Sequence, residues 1–222
     1  MRNIAVILAA GLGQRAGGGV PKQFRMLENG RTVLETCVET FESVDAIDDI
    51  YLVSHPNYLS TVYQLVLSNG WQKVRAVLEG GEQRWESSWK AISHFKDAAP
   101  DTNILLHDCA RPFVSERILT DVCQALTTSE AVTVAVPVTD TLYRVSDGQL
   151  LDIPPRTDYL RAQTPQGFRL AVIREAYERF IADEVHTATD DIGVLRQYRP
   201  DVAIRIVAGE EQNRKLTFAS DF

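Results

Sequence analysis

The sequence predicts an α/β fold, a mainly parallel sheet with helices on both faces. Three observations carry this. Short apolar runs alternate with amphipathic ones along the chain, the first apolar run is unbroken, and it empties into a glycine-rich loop. The unbroken run, Asn3-Ile4-Ala5-Val6-Ile7-Leu8-Ala9, suits a central parallel strand covered on both faces, where no polar alternation is needed. Further strands are expected over Asp49–Ser54, Lys73–Leu78, Asn103–His107, Ala131–Pro137 and Val202–Val207. Between them, Thr32–Glu42, Tyr58–Leu67, Trp85–Phe95 and Glu116–Leu126 carry apolar residues at helical spacing. One stretch breaks the rhythm. From Val138 to Phe168 the chain reads as short extended pieces joined by Asp147-Gly148, a good hairpin turn, and by Pro154-Pro155. The expectation is a single domain over residues 1–222 with 138–168 as a projecting β-arm, an ordinary edge hairpin being the alternative.

The first loop reads Ala9-Ala10-Gly11-Leu12-Gly13-Gln14-Arg15, then Gly17-Gly18-Gly19, then Pro21-Lys22-Gln23-Phe24. Its glycines let backbone N–H groups approach a polyphosphate, and Arg15 and Lys22 supply two cations. It reads as a nucleotide-triphosphate loop. Gly11 to Ala16 also fits the dinucleotide fingerprint. That fingerprint opens a helix, however, and here three glycines and Pro21 follow. It also needs an acidic residue at the end of the second strand, which instead ends in Val53-Ser54-His55. A Walker loop would need Gly-Lys-Ser/Thr. A glycine-rich turn with solvated charges is the remaining alternative.

Bulk properties narrow the partners. With 222 residues and 45% hydrophobic side chains the chain can bury a sizeable core. Its net charge of −7 and pI near 5.2 disfavour nucleic acid and anionic membranes. Clustered Arg and Lys are therefore informative. Cys37, Cys109 and Cys123 are odd in number and widely spaced, which suits a reducing cytosol and matches no zinc pattern. The chain enters a strand straight after Met1-Arg2 and has no run of about 20 apolar residues, so neither a signal peptide nor a membrane span is expected and a cytoplasmic location is.

In open α/β sheets ligands bind beyond the carboxyl ends of strands, so chemistry is sought there. The third strand ends in Leu78-Glu79-Gly80-Gly81-Glu82-Gln83-Arg84, before a helix with Ser87 in its first turn. Paired glycines let a base or ribose pack on backbone there, and a plain glycine turn with a helix cap explains the same residues. The fourth ends in His107-Asp108-Cys109-Ala110-Arg111-Pro112. Asp108 could hold sugar hydroxyls or a metal, and Arg111 a phosphate or the loop; a structural pair is the alternative. His107 reads as a hydrogen-bonded structural residue, and Cys109 as a small loop residue without the base a nucleophile needs. Asp140-Thr141 opens the arm, and Arg156 precedes Gln163-Thr164-Pro165-Gln166-Gly167-Phe168. Thr189-Asp190-Asp191 stands before an apolar helix pattern, where Thr189 is the expected N-cap. Asn213-Arg214-Lys215-Leu216-Thr217 adds a cation after the last strand.

In this order the motifs resemble those of the cytidylyltransferase family that contains 2-C-methyl-D-erythritol 4-phosphate cytidylyltransferase and its relative ribitol-5-phosphate cytidylyltransferase. Ala-Ala-Gly-x-Gly-x-Arg, Pro-Lys-Gln, Gly-Gly-x-x-Arg, His-Asp-x-x-Arg-Pro, Asp-Thr and Gln-Thr-Pro-Gln-x-Phe carry the resemblance over nearly the whole chain. It implies a Rossmann-like nucleotidyltransferase fold, CTP as co-substrate with Mg²⁺ or another divalent cation, and a homodimer formed through the β-arm. By position it assigns Arg15 and Lys22 to the reacting triphosphate. Ala9, Ala10, Gly11, Gly81 and Ser87 would hold cytosine and ribose, with Glu82, Asp108 and Cys109 beside them. Asp108 and Arg111 would lie at the substrate and metal end, with the metal ligands left unassigned. Thr141 and Arg156 would reach the polyol phosphate across the dimer, Lys215 would orient it for attack, and Thr164 and Thr189 would complete the substrate set. Glu82 stands where the erythritol enzymes commonly carry Asp, and Cys109 replaces a small Ala. Ala9-Ala10-Gly11 departs from the Ala-Gly-Gly of ribitol enzymes, while Asp152-Ile153-Pro154-Pro155-Arg156 looks more like the ribitol arm. Methylerythritol phosphate is the expected acceptor and ribitol phosphate the alternative. A non-catalytic nucleotide-binding protein is a further reading, disfavoured because base binding alone does not need Arg15, Lys22 and Lys215 together. The resemblance also implies a further helix after Phe222.

Overall fold

Alternate residues of the first strand enter two different cores. The computed structural model describes residues 1–12 and 19–222. In it β1 (Asn3–Ala9) sends Ala5, Ile7 and Ala9 to one side and Ile4 and Val6 to the other. Burial on both faces is what its unbroken apolar run demands. Helices α1 (Val33–Ser43), α2 (Leu59–Asn69) and α4 (Glu116–Ala125) close the first core. Helices α3 (Arg84–His94), α5 (Leu170–Ile181) and α6 (Asp191–Tyr198) close the second. The layers are therefore helix, sheet, helix.

Local signals set the helix ends. Thr32 and Glu35 form a capping box on α1, with Glu35 N donating to Thr32 Oγ1 at 3.2 Å and Thr32 N to Glu35 Oε2 at 2.8 Å. Gly70 ends α2 at φ 64°, a left-handed conformation that costs glycine little, and its N–H reaches Val66 O at 3.1 Å.

Among the described residues the main sheet has seven strands in the order β3 (Val74–Glu79), β2 (Asp49–Ser54), β1, β4 (Asn103–Asp108), β8 (Leu160–Arg169), β5 (Ala131–Pro137), β9 (Ile204–Ala208). All neighbours are parallel except β8, which runs antiparallel to both β4 and β5. β1, β2 and β5 have the expected bounds, and the other foreseen strands differ by one or two residues.

The expected arm is narrower than 138–168. Residues 160–169 are β8, a strand of the main sheet between β4 and β5. Pro165 and Gly167 hide it in the sequence, since proline withholds a ladder donor and glycine weakens a strand. Pro165 is tolerated because the β5–β8 register shifts between Val132 and Val134, opposite that stretch. Gly167 lets helix α4 approach: a Cβ there would lie 2.9 Å from both Leu126 Cδ1 and Val122 Cγ1. What stands apart is the hairpin of β6 (Arg144–Ser146) and β7 (Gln149–Asp152). Its turn is Asp147-Gly148 with φ of 49° and 75°, the pair of positive values that a two-residue hairpin of this hand requires.

Candidate active site

Strand order turns around at β1 and β4, with β2 and β3 on one side and β8, β5 and β9 on the other. Ligands of open α/β sheets bind beyond the carboxyl ends of such a pair. A cleft of about 250 Å³ opens there. Leu8 to Gly11 and Asp108 to Ala110 supply its floor, Gly81 to Arg84 with Ser87 one wall, and Lys22 and Lys215 the other charged side chains. Among the described residues three cations, Lys22, Arg84 and Lys215, thus line the cleft with two carboxylates, Glu82 and Asp108, inside a chain whose net charge is −7.

Backbone contacts make that wall. Gly80 N donates to Ser54 O at 2.8 Å, which draws the β3 loop against the ends of β1 and β2. A Cβ on Gly80 would sit 2.4 Å from Ala10 Cβ, so only glycine fits the approach. Gly81 N donates to Ser87 Oγ at 3.0 Å, so the Ser87 hydroxyl shapes the loop as well as lining the cleft. Lys22 opens a short helical turn after Pro21. Its neighbour Gln23 is buried and anchors the turn, donating from Nε2 to Ala9 O at 2.9 Å.

Asp108 is the electrostatic centre. Its Oδ1 accepts from Arg84 Nε at 2.8 Å and its Oδ2 from Lys215 Nζ at 2.6 Å. Burial would raise this carboxyl, but the charges of Arg84 and Lys215 outweigh it and hold the group well below the usual carboxylate range. Lys215 reaches the cleft because the chain after β9 is pinned to the end of β4, with Leu216 N donating to Ala110 O at 2.8 Å. Lys22 Nζ lies 3.5 Å from Leu216 O, so lysines from the two ends of the sequence meet at one cleft.

His107 lies behind this floor, fully buried and edge-on to Phe41 with ring centroids 5.0 Å apart. The partners fix its tautomer. Arg111 O can only accept, so Nε2 at 3.0 Å carries the proton. Thr164 Oγ1 accepts from Asp108 N at 3.1 Å and donates to Nδ1 at 3.0 Å. Burial lowers the imidazole to about 4, against the raising effect of its hydrogen bond to Arg111 O. It is the structural residue expected from sequence.

An acid-sensitivity prediction follows from the sign of that shift. Unfolded His107 protonates near 6.5 and the folded group near 4, so between those values the unfolded chain binds the extra proton. Stability should therefore fall as pH drops through that window, by about 3 kcal/mol at most. Urea unfolding from pH 7.5 to 4.5 measures this. His107→Gln keeps a donor for Arg111 O and should flatten the slope; an unchanged slope would acquit His107.

The other expected residues divide in two. Ala9, Ala10, Gly11, Lys22, Gly81, Glu82, Ser87, Asp108, Cys109 and Lys215 line the cleft. Arg111, Thr164, Thr189, Thr141 and Arg156 do not. Arg111 braces the loop, donating to Asn213 O at 2.8 Å and Ala162 O at 3.1 Å. Thr164 supports Asp108 from behind. Thr189 is exposed and is not the cap of α6: Asp190 is, its side chain accepting from Gly193 N at 2.7 Å. Thr141 and Arg156 are exposed beside the hairpin, where Arg156 donates to Thr139 O at 2.6 Å. Arg15 lies outside the described residues.

Arg84 and Asp191 were not foreseen as site residues. Arg84 stands in the quoted Gly-Gly-x-x-Arg motif, and the doubled Asp190-Asp191 offers one carboxylate more than a cap needs; these were the available signals. Among the described residues no group of three or more His, Cys, Asp or Glu could hold a metal ion. No described helix is long and apolar enough to cross a membrane.

The chain is an α/β nucleotidyltransferase, with its cation-lined cleft at the strand-order turn of a mainly parallel sheet. Over residues 3–222 the chain matches the family of 2-C-methyl-D-erythritol 4-phosphate cytidylyltransferase (IspD), and it belongs to that family. A 2-C-methyl-D-erythritol 4-phosphate cytidylyltransferase of Thermobifida fusca is 40% identical, covering 99% of this chain and 90% of its own. The solved 4-diphosphocytidyl-2C-methyl-D-erythritol synthase of Anaerococcus prevotii superposes with a TM-score of 0.86 at 28% identity, covering 99% of this chain and 92% of its own. A bifunctional ribulose 5-phosphate reductase/CDP-ribitol pyrophosphorylase of Haemophilus influenzae is 33% identical over 97% of this chain and 46% of its own length.

Proposed function

We infer that the chain is a cytidylyltransferase that joins CTP to 2-C-methyl-D-erythritol 4-phosphate, giving the CDP-polyol and pyrophosphate for isoprenoid precursor synthesis. The observation that carries this reading is the meeting of Lys22 and Lys215 at a cleft walled by backbone and centred on Asp108. A phosphate oxygen of the acceptor attacks the α-phosphorus of CTP. The new O–P bond forms as the bond to the β-phosphate oxygen breaks, and the electron pair leaves with pyrophosphate. No protein nucleophile is needed. Two polyanions must be brought together, so positioning and charge neutralisation are the catalytic tasks.

Lys22 and Arg15 serve the triphosphate in this reading, and Lys215, held by Asp108, orients the acceptor phosphate. Ala9 to Gly11 and Gly81 with Ser87 receive base and ribose. The described donors do not fit a protein-held metal: no group of three or more His, Cys, Asp or Glu could hold one, and both Asp108 oxygens accept from Arg84 and Lys215. The expected divalent cation would enter with CTP and supply charge neutralisation of its phosphates.

The hairpin supports a homodimer. Tyr143, Val145, Leu150, Leu151 and Ile153 are each more than half exposed, and an apolar patch on an otherwise marginal two-stranded hairpin marks a contact surface. A second copy would bring Thr141 and Arg156 to the neighbour's cleft. The cytoplasm is the proposed location, consistent with three buried thiols outside any disulfide.

Ribitol phosphate is the second reading for the acceptor, favoured by the Asp152 to Arg156 segment and the Haemophilus relative. Pyrophosphate release with each acceptor and each nucleotide tests both. CTP with methylerythritol phosphate should be the fastest pair, and no release with any polyol phosphate would overturn the function.

A further inference from the structure

Asp191, the first residue of α6, is wholly buried and is not the helix cap. Its Oδ2 accepts from Arg84 Nη2 at 2.8 Å and its Oδ1 from Tyr177 Oη at 2.6 Å. Its own N–H is fixed by Gln166 Oε1 at 3.1 Å. Charges therefore alternate from core to cleft: Asp191 negative, Arg84 positive, Asp108 negative, Lys215 positive. Burying the Asp191 end of this chain of ions is costly, and apolar residues of similar size in place of such a buried pair often stabilise a fold as well or better. Stability alone therefore does not account for a carboxylate at this position.

We propose that Asp191 is a positioning residue for the transfer reaction: by holding the far end of the Arg84 guanidinium, it keeps Asp108 available to aim Lys215 into the cleft. The inference rests on the cytidylyltransferase reading, with Lys215 on the acceptor phosphate. A guanidinium is a rigid planar fork that pairs best with one carboxylate through two parallel bonds. Here the fork is split, Nε on Asp108 and Nη2 on Asp191. Without the Asp191 charge, Arg84 would close both prongs on Asp108 and displace Lys215. Tyr177 acts one step further back, its phenol fixing the Asp191 carboxylate.

Steady-state kinetics of Lys215→Ala, and of Asp191→Asn and Tyr177→Phe each alone and combined with Lys215→Ala, test this. Asp191→Asn should lower kcat by roughly 10-fold or more, as a small misplacement of a reacting group does, with KM for CTP nearly unchanged. Added to Lys215→Ala it should cost almost nothing further, because both act through one group. Tyr177→Phe should lose about 3-fold, non-additively with Lys215→Ala. A folded Asp191→Asn enzyme with wild-type kcat, or an equal loss in both backgrounds, would overturn the inference. If Asp191→Asn does not fold, Tyr177→Phe decides: wild-type kcat, or a loss equal in both backgrounds, overturns it. A wild-type protein that releases no pyrophosphate with any acceptor overturns the underlying function and this inference with it, whereas an active wild type with an unaffected variant sinks this inference alone.

Discussion

Replacing Lys22 with alanine should lower kcat by roughly 10²-fold or more while leaving the fold intact, the loss typical of removing a preorganised charge donor. The size follows from the task. Charge builds on the leaving pyrophosphate as the α-phosphorus is attacked, and Lys22 stands at the cleft on a turn fixed by Gln23. The anchoring bond from Gln23 Nε2 to Ala9 O belongs to the neighbour, so truncating Lys22 leaves the turn in place. Thermal unfolding should change little, since Lys22 is only half-buried at the cleft rim. A variant with near-normal kcat would move Lys22 away from the reaction.

The second large effect concerns Arg156, exposed beside the hairpin and outside the cleft of its own chain. In the homodimer proposed above, Arg156→Ala and Lys22→Ala proteins should each be nearly inactive. When the two are unfolded together, refolded and mixed at random, about half of the dimers carry one of each, as two-fold symmetric pairing requires. In each mixed dimer one composite site holds both defects and the other neither. About a quarter of wild-type activity should then return, because half of the sites in half of the dimers are whole. No recovery, with mixed dimers confirmed by native mass spectrometry, would assign Arg156 to its own subunit or to no catalytic role.

The legible parts of the fold were those with a local cause. β1 shows in its unbroken apolar run, α1 in the amphipathic run from Thr32 to Glu42, and the hairpin in Asp147-Gly148. β8 did not, because Pro165 and Gly167 contradict a central strand locally and are excused only by a register shift and a close helix. The cleft's place was legible as a set of strand ends, and ten of the residues that the family resemblance assigned to the site line it. The alternating ion chain was not. Arg84 and Asp191 are joined across 107 positions of sequence, and no spacing rule predicts a contact made by folding. Sequence does not separate Thr189 from the two aspartates after it, because Thr and Asp both cap helices, and the bond from Gly193 N selects Asp190.

The central claim is that this cleft transfers a cytidylyl group to methylerythritol phosphate. The most direct measurement is a single reaction in which CTP, ATP and GTP compete for equal methylerythritol phosphate and ribitol phosphate in the presence of Mg²⁺, with products identified by mass. The account predicts that CDP-methylerythritol dominates and that ATP and GTP are scarcely used, since a pocket built to hydrogen-bond one base rejects others strongly. A dominant CDP-ribitol product would reassign the acceptor, and equal use of all three nucleotides would contradict the claim itself.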